Sequence, residues 1–283
     1  MIIHNAVNFD IGQTLECGQC FRFEKTDDTN SYFLLAYGKK LNVSQNGDKV
    51  KFWYDDGKLD KKEFDTIWMQ YFDFERDYAD IQAKISSNDT IMQHAIAFAP
   101  GIRILQQDPW EMIISFIISA NNRIPQIKQV IKNICKTYGG NIGGEHYAFP
   151  TPQELAKATA EDLRALKTGF RDKYIVDATK RVLAGEMPVE RNCKLPTNEL
   201  RKTLMETKGI GEKVADCILL FGYGRWESFP IDVWVRRVME QLYFNGESMP
   251  PAKIHAFAKE RFGELAGFAQ QYLFHYMRLK KTT

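Results

Sequence analysis

The sequence predicts an α+β fold: an antiparallel sheet with helices over residues 1–105, then an all-α body over residues 106–283. Three observations carry that prediction. Short runs of roughly alternating apolar and polar residues, broken by turn residues, fill the early part of the chain. From Asp108 onward the apolar spacing is helical almost throughout. A chain of 283 residues is long enough for two modest hydrophobic cores.

The elements follow in order. Phe21-Arg-Phe, Tyr32 to Tyr37 and Lys39 to Ser44 read as strands, and Asn46-Gly47-Asp48 turns the chain into a further strand, Val50 to Tyr54. Helical patterns follow over 61–72, 77–86 and 89–99, and Pro100-Gly101 punctuates their end. Asp108-Pro109-Trp110-Glu111 opens a helix, with proline in the first turn and acids beside the positive end of the dipole. Thr151-Pro152-Gln153-Glu154 and Pro196-Thr197-Asn198-Glu199 repeat that signal. Helices are expected over 200–207 and 213–221, and Asp232 stands as an N-cap before Val233 to Met239.

Composition narrows the class. Hydrophobic residues make up 44% and aromatics 13%, as in a well-packed globular protein. A net charge of +2 neither supports nor opposes a polyanionic partner, because a sum near zero can hide a basic face. The most apolar run, Met112 to Ala120, is too short to span a bilayer and reads as a buried helix. Met1 to Asn5 carries neither a basic nor an apolar leader pattern, and five scattered cysteines suit a reducing compartment, so a cytoplasmic protein is expected. The pair Cys17 and Cys20 has no second pair at zinc-site spacing and reads as coincidence, so no metal is expected.

One stretch carries chemistry. Lys208-Gly209-Ile210-Gly211-Glu212-Lys213-Val214 lies between two helical patterns. The two glycines allow a tight turn and close approach to a phosphate, and the amides at the next helix start, Val214 among them, supply donors. Ile210 is expected to plug the turn from within. This is the pattern of a helix-hairpin-helix, a grip on a nucleic-acid backbone, although a plain interhelical turn has the same glycines. Lys213, a cation at the positive end of a helix, is electrostatically misplaced, which favours a free, nucleophilic amine. Such an amine attacking the anomeric carbon of a nucleoside gives an imine, and β-elimination then cleaves the strand. Cys217 shares the face of Lys213 and is either a small core residue or a thiol ionised beside the ammonium. Asp232 adds to its capping role a carboxylate able to support positive charge at the sugar.

These motifs resemble the helix-hairpin-helix superfamily of DNA glycosylases, with the Pro230-Ile231-Asp232 element after the hairpin, and within it the 8-oxoguanine DNA glycosylases. The similarity runs through Gly18-Gln19-Cys20-Phe21-Arg22, Gln107-Asp108-Pro109, Ser119-Ala120-Asn121-Asn122, Gly169 to Tyr174, Gly209 to Cys217, Pro230 to Val233 and Ala269 to Phe274. The resemblance implies a bifunctional enzyme that flips 8-oxoguanine out of duplex DNA, excises it and nicks the abasic site. Lys213 is then the Schiff-base nucleophile and Asp232 the essential carboxylate. Gly18 offers its carbonyl to the N7 proton that distinguishes 8-oxoguanine from guanine. Gln270 bonds the Watson–Crick edge, Phe274 and Cys217 sandwich the base, and Pro230 lines the pocket. Asn121 and Arg171 contact the orphaned cytosine and Phe170 wedges into the duplex, where the family usually has tyrosine. Gln126 stands where eukaryotic members place an arginine, which predicts weaker preference for C opposite the lesion. Trp234 and Met277 replace a phosphate-binding histidine and its aspartate partner, and an apolar contact between them is expected. No cysteine follows Cys217, which excludes the iron–sulfur cluster of other branches, so no cofactor is expected. The implied partner is double-stranded DNA containing 8-oxoguanine, bound by a monomer, without membrane attachment; the absence of a basic targeting segment points to a prokaryote. Two rival readings are a glycosylase for another damaged purine, against which Lys213 argues, and a non-catalytic DNA-binding protein that uses the hairpin only for grip.

Overall fold

The alternating segments of the N-terminal region pair into one antiparallel sheet in the computed structural model, which describes residues 1–26 and 30–280. Its strands are β1 (Ile2–Asn5), β2 (Phe23–Lys25), β3 (Ser31–Ala36), β4 (Lys39–Asn46) and β5 (Lys49–Trp53), in the order β1-β5-β4-β3-β2. Helix α1 (Ile11–Glu16) lies between the first two. Register is set by the turn at Gly47, whose φ of +57° places Asn46 opposite Lys49, so that Val50 and Phe52 share the buried face with Leu34, Leu41 and Val43. Strand β1 was not expected from sequence. Its four residues alternate in burial, yet few residues flank them, and pairing with β5 fixes the register Ile2 to Phe52.

The segment expected as a strand at Phe21-Arg-Phe joins the sheet only from Phe23. Phe21 turns away and packs edge-on to Phe116 at 5.7 Å, in the core of the helical body. The buried Gln19 explains the departure. Its amide nitrogen donates to the carbonyls of Thr14 and Arg103, at 2.8 and 2.7 Å, and its oxygen accepts from the amide of Leu105. The chain from Cys17 to Phe21 is thereby tied to the segment leading into the body, not to β3.

Residues 61–71 form one helical stretch, α2 (Lys61–Glu63) and α3 (Met69–Tyr71) flanking a π-helical turn at Phe64–Trp68. They cover the sheet with Phe64, Trp68 and Tyr71, joined by Phe72 at the end of α3. The next helices, α4 (Tyr78–Ile85) and α5 (Thr90–Phe98), are capped by Asp77 and Asp89. Their buried residues Tyr78, Ile81, Met92 and Ala95 belong to the core of the helical body. Two hydrophobic cores therefore exist, one under the sheet and one in the body, and the helices at 78–98 join the second.

The body continues through α6 (Pro109–Ser119) and α7 (Ile124–Tyr138), then α8 (Pro152–Leu155), α9 (Ala160–Ala165) and α10 (Asp172–Leu183). It ends with α11 (Thr197–Met205), α12 (Glu212–Phe221), α13 (Val233–Val238), α14 (Pro251–Phe262) and α15 (Ala266–Lys280). A small hairpin, β6 (Asn141–Gly143) and β7 (His146–Tyr147), interrupts the helices. Asp108 caps α6 through the amide of Glu111, and Thr151 and Glu154 form a capping box on α8. Helix α6 is buried from Pro109 to Ile118 except at Glu111, and α7, α10 and α12 pack against it. No helix among the described residues is long and apolar enough to cross a membrane.

Candidate active site

The hairpin is built first. Gly209 has φ +86°, and a Cβ there would lie 2.3 Å from the ring of Tyr174, so both conformation and packing require glycine. Ile210 is 3% exposed and plugs the turn. Gly211 differs: its φ is not positive and nothing stands within 4 Å of a Cβ placed on it, so space remains outside the turn. Gly211 is the N-cap of α12 and offers no side-chain cap; the first bond of the ladder runs from the amide of Ala215 to the carbonyl of Gly211. The amides preceding Ala215, that of Val214 included, have no intrahelical acceptor, which leaves a donor cluster at the positive end of a ten-residue helix. The side chain of Val214 is buried, so only its backbone can face an anion. Arg201 of α11 clasps the buried carboxylate of Asp216 on α12 through two nitrogens, at 2.9 and 2.6 Å, and fixes one helix of the hairpin against the other.

Helix α12 then carries Lys213 and Cys217 into a cleft against α6, α13 and α15. The cleft is lined by Cys17, Gly18, Phe116, Lys213, Cys217, Phe221, Pro230, Asp232, Gln270, Gln271 and Phe274. All seven residues expected to do the chemistry and hold the lesion base are thus brought together, from four separate stretches of chain. The amine of Lys213 sits 5.6 Å from the centroid of the Phe116 ring. Asp232 caps α13: its Oδ1 accepts from the amides of Trp234 and Val235 at 3.0 and 2.8 Å. Both bonds fall on one oxygen, so Oδ2 has no hydrogen bond among the described residues. Burial raises the Asp232 carboxyl above its ordinary value, opposed by the Val235 amide, Lys213, the Trp234 amide and Arg278. Burial also pushes the Cys217 thiol up to about 11, against the pull of Lys213. Of the two readings of Cys217, the neutral, buried thiol is the resting state.

Gly18 has φ +84°, and a Cβ there would approach Phe274 Cε1 and Arg278 Nη1 to 3.2 Å. Its neighbours hold the loop rigidly. Gln271 donates to the carbonyl of Cys17 at 2.8 Å, and Gln107 donates to the carbonyl of Gln19 at 2.8 Å. These positioning glutamines stand in the motifs that carry the resemblance, yet only long-range contacts reveal what they do. The two cysteines of the CxxC are buried thiols that donate to carbonyls of α1 and its start, Cys17 to Thr14 at 3.1 Å and Cys20 to Leu15 at 3.7 Å. Among the described residues no group of three or more His, Cys, Asp or Glu side chains could hold a metal ion.

Gln270 is 4% exposed and its Oε1 has no hydrogen-bond partner among the described residues. A buried, unpaired acceptor is costly and marks a place where a partner is missing. The cleft has a volume of only about 50 Å³, far below the roughly 300–1,000 Å³ of ordinary small-molecule pockets. Phe274 is half-buried and lies against Gly18, at the mouth of this small cleft.

The remaining expected residues lie on a different, open face. Phe170 is 56% exposed at a 3₁₀ turn (Gly169–Arg171), and the Arg171 guanidinium stacks 4.4 Å from its ring centroid. Arg171, expected against the orphaned cytosine, is itself buried. It donates to the carbonyl of Ala120 at 3.0 and 2.6 Å, of Asn121 at 3.0 Å and of Thr168 at 3.3 Å. Four of its five N–H groups are used within the protein, so it fastens the Asn121 loop to the Phe170 turn. Asn121, at φ +51°, lines a shallow open concavity with Asn122, Arg123 and Gln126. Trp234 packs against the body core that includes Met277, on helices α13 and α15 that pack together.

The N-terminal domain of 8-oxoguanine DNA glycosylase matches residues 1–113, and the HhH-GPD superfamily base excision DNA repair protein matches residues 114–264. A probable N-glycosylase/DNA lyase from Methanothermobacter thermautotrophicus is 34% identical over 77% of this chain and 75% of its own. MBOgg1, solved with a low affinity DNA ligand, superposes with a TM-score of 0.93 at 41% identity, over 99% of this chain and 96% of that one. The Clostridium acetobutylicum 8-oxoguanine glycosylase/lyase, solved with double-stranded DNA containing cytosine opposite 8-oxoguanine, gives 0.91 at 38% identity over 99% of both chains. The chain belongs to the HhH-GPD superfamily of base excision DNA repair proteins, in the branch of the 8-oxoguanine DNA glycosylases.

Proposed function

We propose that this chain excises 8-oxoguanine from double-stranded DNA through an imine on Lys213 and then nicks the strand at the abasic site. The observation that carries this reading is the convergence of Lys213 and Asp232 with Gly18, Cys217, Pro230, Gln270 and Phe274 in one cleft beside a hairpin suited to phosphate. A non-catalytic binding protein has no use for an amine and a carboxylate enclosed together behind such a hairpin.

The roles follow from position. The amides of α12 around Gly211 and Val214, with the turn at Gly209, receive a backbone phosphate. Phe170 enters the duplex and takes the place of the extruded base, which passes into the cleft as Phe274 swings aside. There the Gly18 carbonyl accepts from N7–H, which guanine lacks. Gln270 pairs with the Watson–Crick edge, and Phe274 and Cys217 cover the two faces of the ring. The Lys213 Nζ attacks C1′ as the bond to the base nitrogen breaks, its electron pair leaving with the base. Asp232, held by the α13 amides, stabilises the positive charge that develops at the sugar. Loss of a proton from nitrogen and opening of the ring give the imine. Removal of a C2′ proton then expels the 3′ phosphate by β-elimination. The protein is inferred to act as a cytoplasmic monomer without a cluster or other cofactor.

Excision from otherwise identical duplexes carrying 8-oxoguanine, 3-methyladenine or guanine tests the reading. Release of 8-oxoguanine with strand cleavage is expected, with guanine left in place. Release of 3-methyladenine alone, or no release from any duplex, contradicts it.

A further inference from the structure

We infer that Arg123 is a specificity-determining residue that reads the base opposite the lesion, supplying from the start of α7 the guanidinium that Gln126 lacks. This inference rests on the proposed function and concerns the open face, not the cleft.

Arg123 is the N-cap of α7, with extended backbone (φ −104°, ψ 145°), and its amide donates to the side-chain oxygen of Asn122 at 2.9 Å. Its side chain lines the open concavity with Asn121, Asn122 and Gln126. Arg123 and Gln126 stand three positions apart, the spacing that puts two side chains on one side of a helix start. Every other arginine of the described residues has its guanidinium against a carboxylate, a carbonyl or an aromatic ring, Arg171 and Arg201 being examples. Arg123 has no side-chain partner among the described residues. It is a cation held ready on an exposed surface.

The place of the concavity follows from the contacts of Arg171. One face of that guanidinium stacks on Phe170, while its nitrogens hold the carbonyls of Ala120 and Asn121. The wedge and the concavity are therefore fastened to each other through one side chain. When Phe170 fills the gap left by the extruded base, the widowed base of the other strand lies beside the concavity.

The chemistry then selects. On their Watson–Crick edges, cytosine alone among the four bases presents two adjacent acceptors, O2 and N3. Adenine pairs a donor with an acceptor, and guanine and thymine place a donor at N1 or N3. A guanidinium presents two parallel donors and fits cytosine. The amide of Gln126 presents one donor beside one acceptor, which suits adenine. Gln126 alone would thus turn the site toward adenine, and Arg123 restores the fork that cytosine requires.

The test is single-turnover excision on duplexes differing only in the base opposite 8-oxoguanine (C, A, G or T), at two salt concentrations. It compares the unchanged chain, Arg123→Gln, Arg123→Lys, and Arg123→Gln combined with Gln126→Arg. The unchanged chain should prefer C over A. Arg123→Gln should lower the C:A ratio at least about fivefold, Arg123→Lys should not restore it because the planar fork is lost, and the combined variant should. A uniform loss on all four duplexes, with a salt slope reduced by about one, would make Arg123 a phosphate contact and overturn the inference. So would an unchanged ratio, or an unchanged chain without preference for C. Absence of 8-oxoguanine release from every duplex by the unchanged chain would instead count against the proposed function.

Discussion

The cleft around Lys213 and the face around Arg123 solve opposite problems. The cleft is small, closed and held by contacts from across the chain: Gln19, Gln107 and Gln271 fix the Gly18 loop, and Asp232 is fixed by two amides of its own helix. The face is open, and Asn121, Arg123, Gln126 and Phe170, proposed to meet the duplex there, are exposed. Enclosed groups act in a medium of low dielectric, where a carboxylate stabilises positive charge strongly and needs no reorganisation at the moment of reaction. Exposed readers contribute affinity and selection, but their substitution leaves the fold intact. Under the proposed function the cleft does the chemistry and the face discriminates between duplexes.

Three substitutions and one titration break or sharpen that contrast. The largest effect is expected from Asp232→Asn. Asparagine retains an acceptor for the α13 amides, so the fold should persist while the charge is lost. Single-turnover excision should fall by about 10²–10⁴ with little change in melting temperature; a rate within a few-fold of the original would remove Asp232 from the chemistry. Phe170→Ala follows. It removes an exposed ring worth about 1–3 kcal/mol when stacked on bases, so excision from duplex should fall about tenfold while thermal stability stays level. A drop in melting temperature with unchanged excision would make Phe170 a structural residue.

The smallest rate effects come from pH. Burial holds the Asp232 carboxyl above its ordinary value, so as pH falls the folded protein protonates it earlier than it would an exposed aspartate. Excision should therefore be lost on the acid side at a higher pH than an unperturbed carboxylate gives, and the Asp232→Asn rate should be low and flat across that range. An acid limb at or below the ordinary aspartate value would contradict this. The last contrast is one of stability. Gln270 Oε1 is buried and unpaired among the described residues, a penalty of about 1–3 kcal/mol. Gln270→Met should raise the melting temperature by a few degrees and weaken release of 8-oxoguanine; a lower melting temperature would mean that the orphaned acceptor is not a cost.

Legibility in the sequence followed the range of the interaction. Asp108, Thr151 and Asp232 announce themselves because a cap is satisfied within three residues, and each caps its helix. Gly209 was legible as a turn glycine, but its stronger reason, the ring of Tyr174, lies 35 residues upstream in the chain. Phe21 was misread because its neighbour Gln19 answers to carbonyls and amides more than 80 residues away. Arg171 carries no sign in its own neighbourhood that it faces inward; the carbonyls that turn it belong to Ala120 and Asn121. Arg123 escaped notice for the converse reason, since a guanidinium without a partner leaves no pattern. The closed state of the cleft, with Phe274 against Gly18, is likewise a matter of packing between the two ends of the chain.

The central claim is that the Lys213 amine becomes covalently joined to DNA. Borohydride reduction during the reaction with a duplex containing 8-oxoguanine tests it most directly, comparing the unchanged chain with Lys213→Gln. A stable protein–DNA adduct that forms with the unchanged chain and is absent from the variant is the predicted result. No adduct with Lys213 intact, or an adduct that persists in Lys213→Gln, would contradict it.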